Sequence, residues 1–194
     1  YLQRVLGYDP LHVGLAFLPT SLIMATFSLG LSAKLVLTYG LRRPLGIGLG
    51  LAALGLLLFA RAPVDGNYWM DVLPSMVLLG CGAGMAFNPL LLAAMSDVPP
   101  EEAGLASGVV NTAFMMGGAL GLAVLASLAQ RRSVNLRVAG DSLAEALNGG
   151  YHLAFLIGAI FAATGAVLGV TLLRGNPVAA HAPTGELATA GADD

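Results

Sequence analysis

The chain has 194 residues, 57% of them hydrophobic and 10% charged, with a formal net charge of −2 and a mean hydropathy of +0.80. Soluble domains carry about 25% charged residues, so an ordinary water-soluble domain is excluded, and nine scattered basic residues give no footing for nucleic acid. One cysteine, Cys81, excludes an internal disulfide framework and leaves a metal cluster without ligands.

Tyr1 is not an initiator, and no charged leader precedes the first apolar run, so the chain is expected to be a piece of a longer protein. Residues 1–9 read as the end of a preceding membrane helix and its loop, with Tyr1 and Tyr8 at interfacial depth. Pro10 opens the next segment as a first-turn proline, with Asp9 as its N-cap. The first apolar run extends from about Val13 to Leu37. Pro19 lies inside it and should kink it by removing a backbone donor. Hydroxyls at Thr20, Ser21, Thr26, Ser28 and Ser32 either line a cavity or bond back to the preceding turn, which is their commoner fate.

Tyr39 to Pro44 reads as a tight turn carrying Arg42 and Arg43, and a glycine-rich second run follows from about Leu45 to Ala60. Trp69 and Tyr68 stand in the next loop, at the level of an interfacial aromatic belt. The third and fourth runs, about Val72 to Met95 and Ala103 to Leu128, form a hairpin around Ser96-Asp97-Val98-Pro99-Pro100-Glu101-Glu102. Each is about long enough to cross a hydrocarbon core of ~30 Å. A polar connection from about Ala129 to Gly150 leads to the fifth run, Tyr151 to Leu173. The tail at 174–194, rich in Ala, Pro, Gly and Thr, is expected to be disordered. The expectation is therefore an all-α integral membrane chain of about five spanning helices over residues 10–173.

A weak repeat overlies these runs. Pro10-x-x-x-Gly14-Leu15-Ala16 matches Pro100-x-x-x-Gly104-Leu105-Ala106, and the pair Arg42-Arg43 matches Arg131-Arg132, at offsets of 90 and 89 residues. Three helices per unit would make it an inverted repeat. Lys and Arg do not orient the chain: Lys34, Arg42, Arg43 and Arg174 fall on one side and Arg4, Arg61, Arg131, Arg132 and Arg137 on the other.

Chemistry is sparse. Gly80/Gly84, Gly104/Gly108, Gly117/Gly121 and Gly165/Gly169 place small residues on one helix face, a packing pattern. Asn88, beside Pro89, and Asn111, beside Thr112, are polar at bilayer depth; they mend a kink and bond between helices, or line a substrate cavity. Neither Asp nor Glu lies deep in any run, so a proton-coupling acid is expected outside this chain. No Ser/His/Asp set, carboxylate pair or HExxH motif is present, so no catalytic or metal-binding residue is expected and the chain is not read as an enzyme.

The segments YLQRVLGYDPLHVGLAFLP, GLRRP, DVPPEEAGLASGVVNT and GGALGLAVL together resemble the C-terminal half of a major facilitator superfamily transporter, in its fourteen-helix drug:proton antiporter branch. That resemblance covers the chain to about Arg174, and DVPPEEAGLASG is its most specific part. It implies a multi-pass protein of the plasma or inner membrane with five of the six helices of the C-terminal half and a cytoplasmic tail. Its partners would be the lipid bilayer, the missing N-terminal half of the same polypeptide and a small organic substrate. The proton gradient would supply energy without any cofactor.

Residue by residue, the resemblance makes Gly40, Arg42 and Arg43 part of a conformational loop motif, although Leu37 and Thr38 stand where the motif's Asp and Arg would be. Pro99, Pro100, Glu101 and Glu102 form the hinge between helices, and Pro19 and Pro89 the helix kinks. The substrate cavity would include Asn88, Asn111, Thr112, Phe114 and Met115. Members often carry Arg-Gln where this chain has Phe114-Met115, and an apolar Phe-Met-Met patch would favour bulky lipophilic substrates. The function implied is proton-coupled efflux of amphipathic compounds. Alternatives are an exporter of amino acids or small metabolites and a non-transporting scaffold or remnant.

Overall fold

The computed structural model describes residues 1–173, and the expected tail at 174–194 lies outside the described residues. Its regular elements are all helical: α1 (Pro10–Thr26), a π-turn (Phe27–Leu31), α2 (Ser32–Tyr39), α3 (Arg42–Phe59), a second π-turn (Tyr68–Val72), α4 (Leu73–Met95), a 3-10 turn (Pro100–Glu102), α5 (Ala103–Val138) and α6 (Leu143–Leu172). Five paths among the described residues are long and apolar enough to cross a membrane: Pro10–Leu31, Arg42–Phe59, Tyr68–Met95, Pro100–Val138 and Leu143–Leu172. The chain is an all-α integral membrane protein.

Local chemistry explains most boundaries. The Asp9 side chain accepts the His12 N–H and Pro10 fills the first turn of α1, the arrangement expected of an aspartate N-cap and a first-turn proline. Gly40 ends α2 at φ +75°, a conformation that costs glycine nothing, and its N–H closes on the Val36 carbonyl.

Three boundaries depart from the sequence reading. Arg42 and Arg43 do not lie in the turn; they open α3, which leaves Gly40-Leu41 as the whole connection. Pro19 sits inside α1, yet the break from α geometry comes later, at Phe27–Leu31. The polar stretch 129–150 is not a loop. Past the bilayer's reach, Arg131, Arg132 and Arg137 continue α5, because arginine is a good helix former in water. Only residues 139–142 then turn before α6. A capping box starts α6, with Ser142 taking the Glu145 N–H and Glu145 taking the Ser142 N–H. Ser142-x-x-Glu145 is the sequence sign of that start.

The helices pack in the order α1–α4–α3–α6–α5, with α1 and α5 at the two edges. Gly40 and the Pro99-Pro100 hinge lie on one side of the row, here the hinge side; Pro10 and loops 60–67 and 139–142 lie on the other, the Pro10 side. At the Pro10 side Leu2, Ala16, Phe59, Val72 and Met76 bury together, with Tyr8, Tyr68 and Phe155 packed against them. Tyr68 donates to the Ala16 carbonyl at 2.9 Å, while Trp69 is 72% exposed at a depth suited to headgroups.

Candidate functional site

Glycine spacing sets how α4 meets its neighbours. At 100° per residue, Gly80 and Gly84 share one face of α4 and Gly82 takes the opposite one. A Cβ added at Gly80 or Gly84 would stand 2.8 Å from the Thr20 or Met24 carbonyl of α1, and one at Gly82 would stand 2.5 Å from the Gly48 carbonyl and the Ala52 nitrogen of α3. The helix is clasped from both sides by backbone.

One turn beyond Gly84, Asn88 donates its side-chain amide to the Ser28 carbonyl at 2.7 Å and reaches the Ser28 hydroxyl at 3.3 Å. Ser28 lies in the π-turn of the first span. Of the two uses for Asn88 that the sequence leaves open, the structure displays a bond between helices. Pro89 beside it is fully buried.

Asn111, Thr112, Phe114 and Met115 lie on the exposed part of α5. Thr112 bonds back to the Gly108 carbonyl at 2.8 Å. Phe114 meets Phe87 of α4 edge to face, with ring centroids 5.8 Å apart, and so comes next to the residue that precedes Asn88. Nothing stands within 4 Å of a Cβ built at Gly104, Gly108, Gly117, Gly118 or Gly121, so no helix approaches these glycine positions closely among the described residues.

Charged candidates cluster at the hinge side. Arg42 and Arg43 are exposed at the start of α3, the positive end of its dipole, where positive charge is unfavourable. Glu101 and Glu102 precede α5 in a 3-10 turn, where negative charge suits the helix dipole.

A cavity of about 440 Å³ opens at the Pro10 side between α1, α4, α6 and the end of α3, walled by Phe17, Phe59, Met76 and Phe155, with Gln3 and Arg4 also lining it. Thr20 also lines it, and its buried hydroxyl has no hydrogen-bond partner among the described residues. None of the five residues proposed from sequence as cavity lining belongs to this wall. Five separate segments build it, residues 1–4 and helices α1, α3, α4 and α6, which only the fold brings together.

Two further polar contacts tie α6 to the row. Asn148 donates to the Ala62 carbonyl at 3.0 Å, and the His152 imidazole Nε2 lies 2.7 Å from the same oxygen. An N–H on that nitrogen donates to the Ala62 carbonyl, so His152 serves here as a tether. Hydroxyls of the first span divide: Ser21 and Thr26 bond back to the Phe17 and Leu22 carbonyls, while Thr20 and Ser32 are buried without partners among the described residues.

Residues 1–122 match the family model described as Major Facilitator Superfamily. The chain is 35% identical over 82% of its length to the puromycin resistance protein pur8 of Streptomyces alboniger, covering 33% of that protein. It is 36% identical over 64% of its length to the cephamycin export protein CmcT of Amycolatopsis lactamdurans, covering 26% of it. The multidrug resistance protein Stp of Mycobacterium tuberculosis is 37% identical over 66% of the chain, which covers 23% of Stp. The chain thus spans between 23% and 33% of the length of these relatives.

Proposed function

Because the chain belongs to the Major Facilitator Superfamily, we propose that it is part of a secondary carrier that exports amphipathic organic compounds, and that it works with a further helical half of the same polypeptide. The observation that carries this reading is the nature of the relatives. Proteins named for puromycin resistance, cephamycin export and multidrug resistance each match the chain at 35% to 37% identity.

Residue chemistry is consistent with such cargo. Phe114, Met115 and Met116 present a pliable apolar patch on the exposed face of α5, suited to varied lipophilic shapes. Asn111 and Thr112 beside it offer polar anchors. Alternating access would come from the two halves rocking about a fixed midplane site, with Gly40, Arg42 and Arg43 at the moving loop and Pro99 to Glu102 as the hinge. Energy would come from proton antiport, with the titrating acid in the other half, since a membrane-embedded proton relay needs such a group. The hinge side and the tail would be cytoplasmic.

The test is accumulation of a lipophilic cationic dye in drug-sensitive cells producing the full-length polypeptide. We expect lower accumulation than in empty cells, restored by a protonophore. Phe114→Arg should change the set of compounds exported. Equal accumulation with and without the polypeptide, across a panel of lipophilic compounds, rejects the efflux reading. Efflux untouched by the protonophore rejects the coupling alone.

A further inference from the structure

Four observations meet at one level of the first span. The Ser32 N–H reaches back to the Phe27 carbonyl, a return of five residues where an α-helix uses four, so the Ser28 carbonyl loses the donor an α-register would supply. Asn88 of α4 takes that carbonyl instead. Pro89, next to Asn88, is fully buried and has no N–H to give. Ser32 is 0% exposed, and its hydroxyl has no hydrogen-bond partner among the described residues. The Ser28 carbonyl, four residues back, is the acceptor that a buried helical serine commonly uses.

We propose that Asn88 is a positioning residue: by holding the Ser28 carbonyl it keeps one extra residue in the π-turn and so sets the register of α2 against α3 and α4. A return to α geometry would turn α2 by about 100° and advance it by about 1.5 Å. The buried positions now held by Ser32 and Val36, 0% and 4% exposed, would pass to Leu31 and Leu35. That pair has the same spacing and is apolar throughout, and the Ser28 carbonyl would recover the Ser32 N–H. Two registers therefore fill one pair of sites, one with Asn88 engaged and one with it released. α1 stays fixed in both, since Gly80 and Gly84 hold its Thr20 and Met24 carbonyls against α4. A bistable element of this kind is what an alternating carrier requires; only that use, not the register itself, rests on the transport reading.

Cysteine labelling in membrane vesicles tests it, using the full-length polypeptide with Cys81→Ser and a permeant maleimide. α2 ends at the Gly40 turn, close to water, so its thiols are within reach. With Asn88 present, Val36→Cys should react about tenfold more slowly than Leu35→Cys, because a buried thiol reacts only through local opening. Asn88→Leu cannot donate and should reverse that order; Asn88→Gln keeps an amide donor and should restore it. An unchanged order in inserted Asn88→Leu protein overturns the proposal. Should Asn88→Leu fail to accumulate, deletion of Leu29 decides. Leu29 is the 85% exposed residue of the π-turn, and removing it should leave α2 in place with Val36→Cys still slow. Fast labelling after that deletion would show that no extra residue is held there. Labelling does not depend on export: if Asn88→Leu reverses the order while the Asn88-bearing polypeptide itself exports nothing, the register stands and the efflux reading falls, and the opposite pair of results would do the converse.

Discussion

α4 and α5 are both glycine-rich apolar helices, and their glycines meet opposite fates. On α4, Gly80, Gly82 and Gly84 each bring a neighbouring backbone to within 3.0 Å of where a Cβ would be, whereas Gly104, Gly108, Gly117, Gly118 and Gly121 of α5 face nothing within 4 Å. The difference lies in the partner. Gly82 meets Gly48 of α3, and a Cβ on Gly48 would in turn strike the Gly82 carbonyl at 2.7 Å. Towards α3 the close approach is reciprocal, small residue against small residue, while towards α1 the glycines of α4 alone make room for the backbone at Thr20 and Met24. α5 finds such a partner only near its far end, where Gly150 of α6 packs on the Ala129 carbonyl. Spacing of glycines on a single helix cannot distinguish the two cases.

The largest expected effect tests that difference directly. Gly82→Val would force a side chain into the α3 backbone and should cost about 1–3 kcal/mol or more as overpacking. Gly118→Val on α5 should stay within about 0.5 kcal/mol, as an open surface site does. Thermal unfolding of the detergent-solubilised chain compares them. A Gly118→Val penalty that appears only in the full-length polypeptide would mean that the other half closes on this face. Equal penalties in the isolated chain would break the comparison.

Much of the fold is legible in the sequence because hydrocarbon imposes a simple rule: helices of roughly 20 apolar residues satisfy their own backbone. Five such runs are visible, and so are Asp9-Pro10 and the Pro99-Pro100 turn. Residues 129–142 mislead because charge suggests a loop, although Arg131 and Arg132 merely sit beyond the bilayer on a helix that continues, and the box at Ser142 and Glu145 marks where the next one starts. The candidate site is far less legible. Asn88 stands out as a polar residue at depth, but its partner is a carbonyl exposed by a π-turn, and Phe27–Leu31 has no residue pattern that announces one. The cavity draws Phe17, Phe59, Met76 and Phe155 from four segments whose adjacency depends on the helix order.

Substitutions of smaller single effect probe how α6 is held to the α3–α4 centre, where leucine side chains of α3 fill the glycine positions of α6 and polar contacts add to that packing at one end. Ala62 is 2% exposed, and its carbonyl accepts from both Asn148 and His152. Replacing either side chain alone leaves that oxygen one donor, so Asn148→Leu and His152→Phe should each cost about 1 kcal/mol or less. Together they strand a buried carbonyl, and its desolvation adds about 1–3 kcal/mol to the cost of the two broken hydrogen bonds. The pair should therefore be worse than the sum of the singles. Additive unfolding midpoints would mean that the two residues do not share one acceptor.

The smallest effect belongs to the other edge helix, α1, whose start at Asp9 is exposed. Hydrogen bonding from the His12 side chain first, and from the His12 N–H second, holds the Asp9 carboxyl below the usual carboxylate range. A carboxylate with a lowered folded-state pKa stabilises the fold fully above its unfolded value, and that stabilisation is lost as pH falls through the lowered folded value. Asp9→Asn keeps an oxygen to cap the helix and cannot titrate. Between about pH 5 and pH 2, which brackets the ordinary aspartate pKa and the region below it, the unfolding temperature of the native chain should fall slightly more than that of Asp9→Asn. Parallel pH profiles would place the acid sensitivity elsewhere.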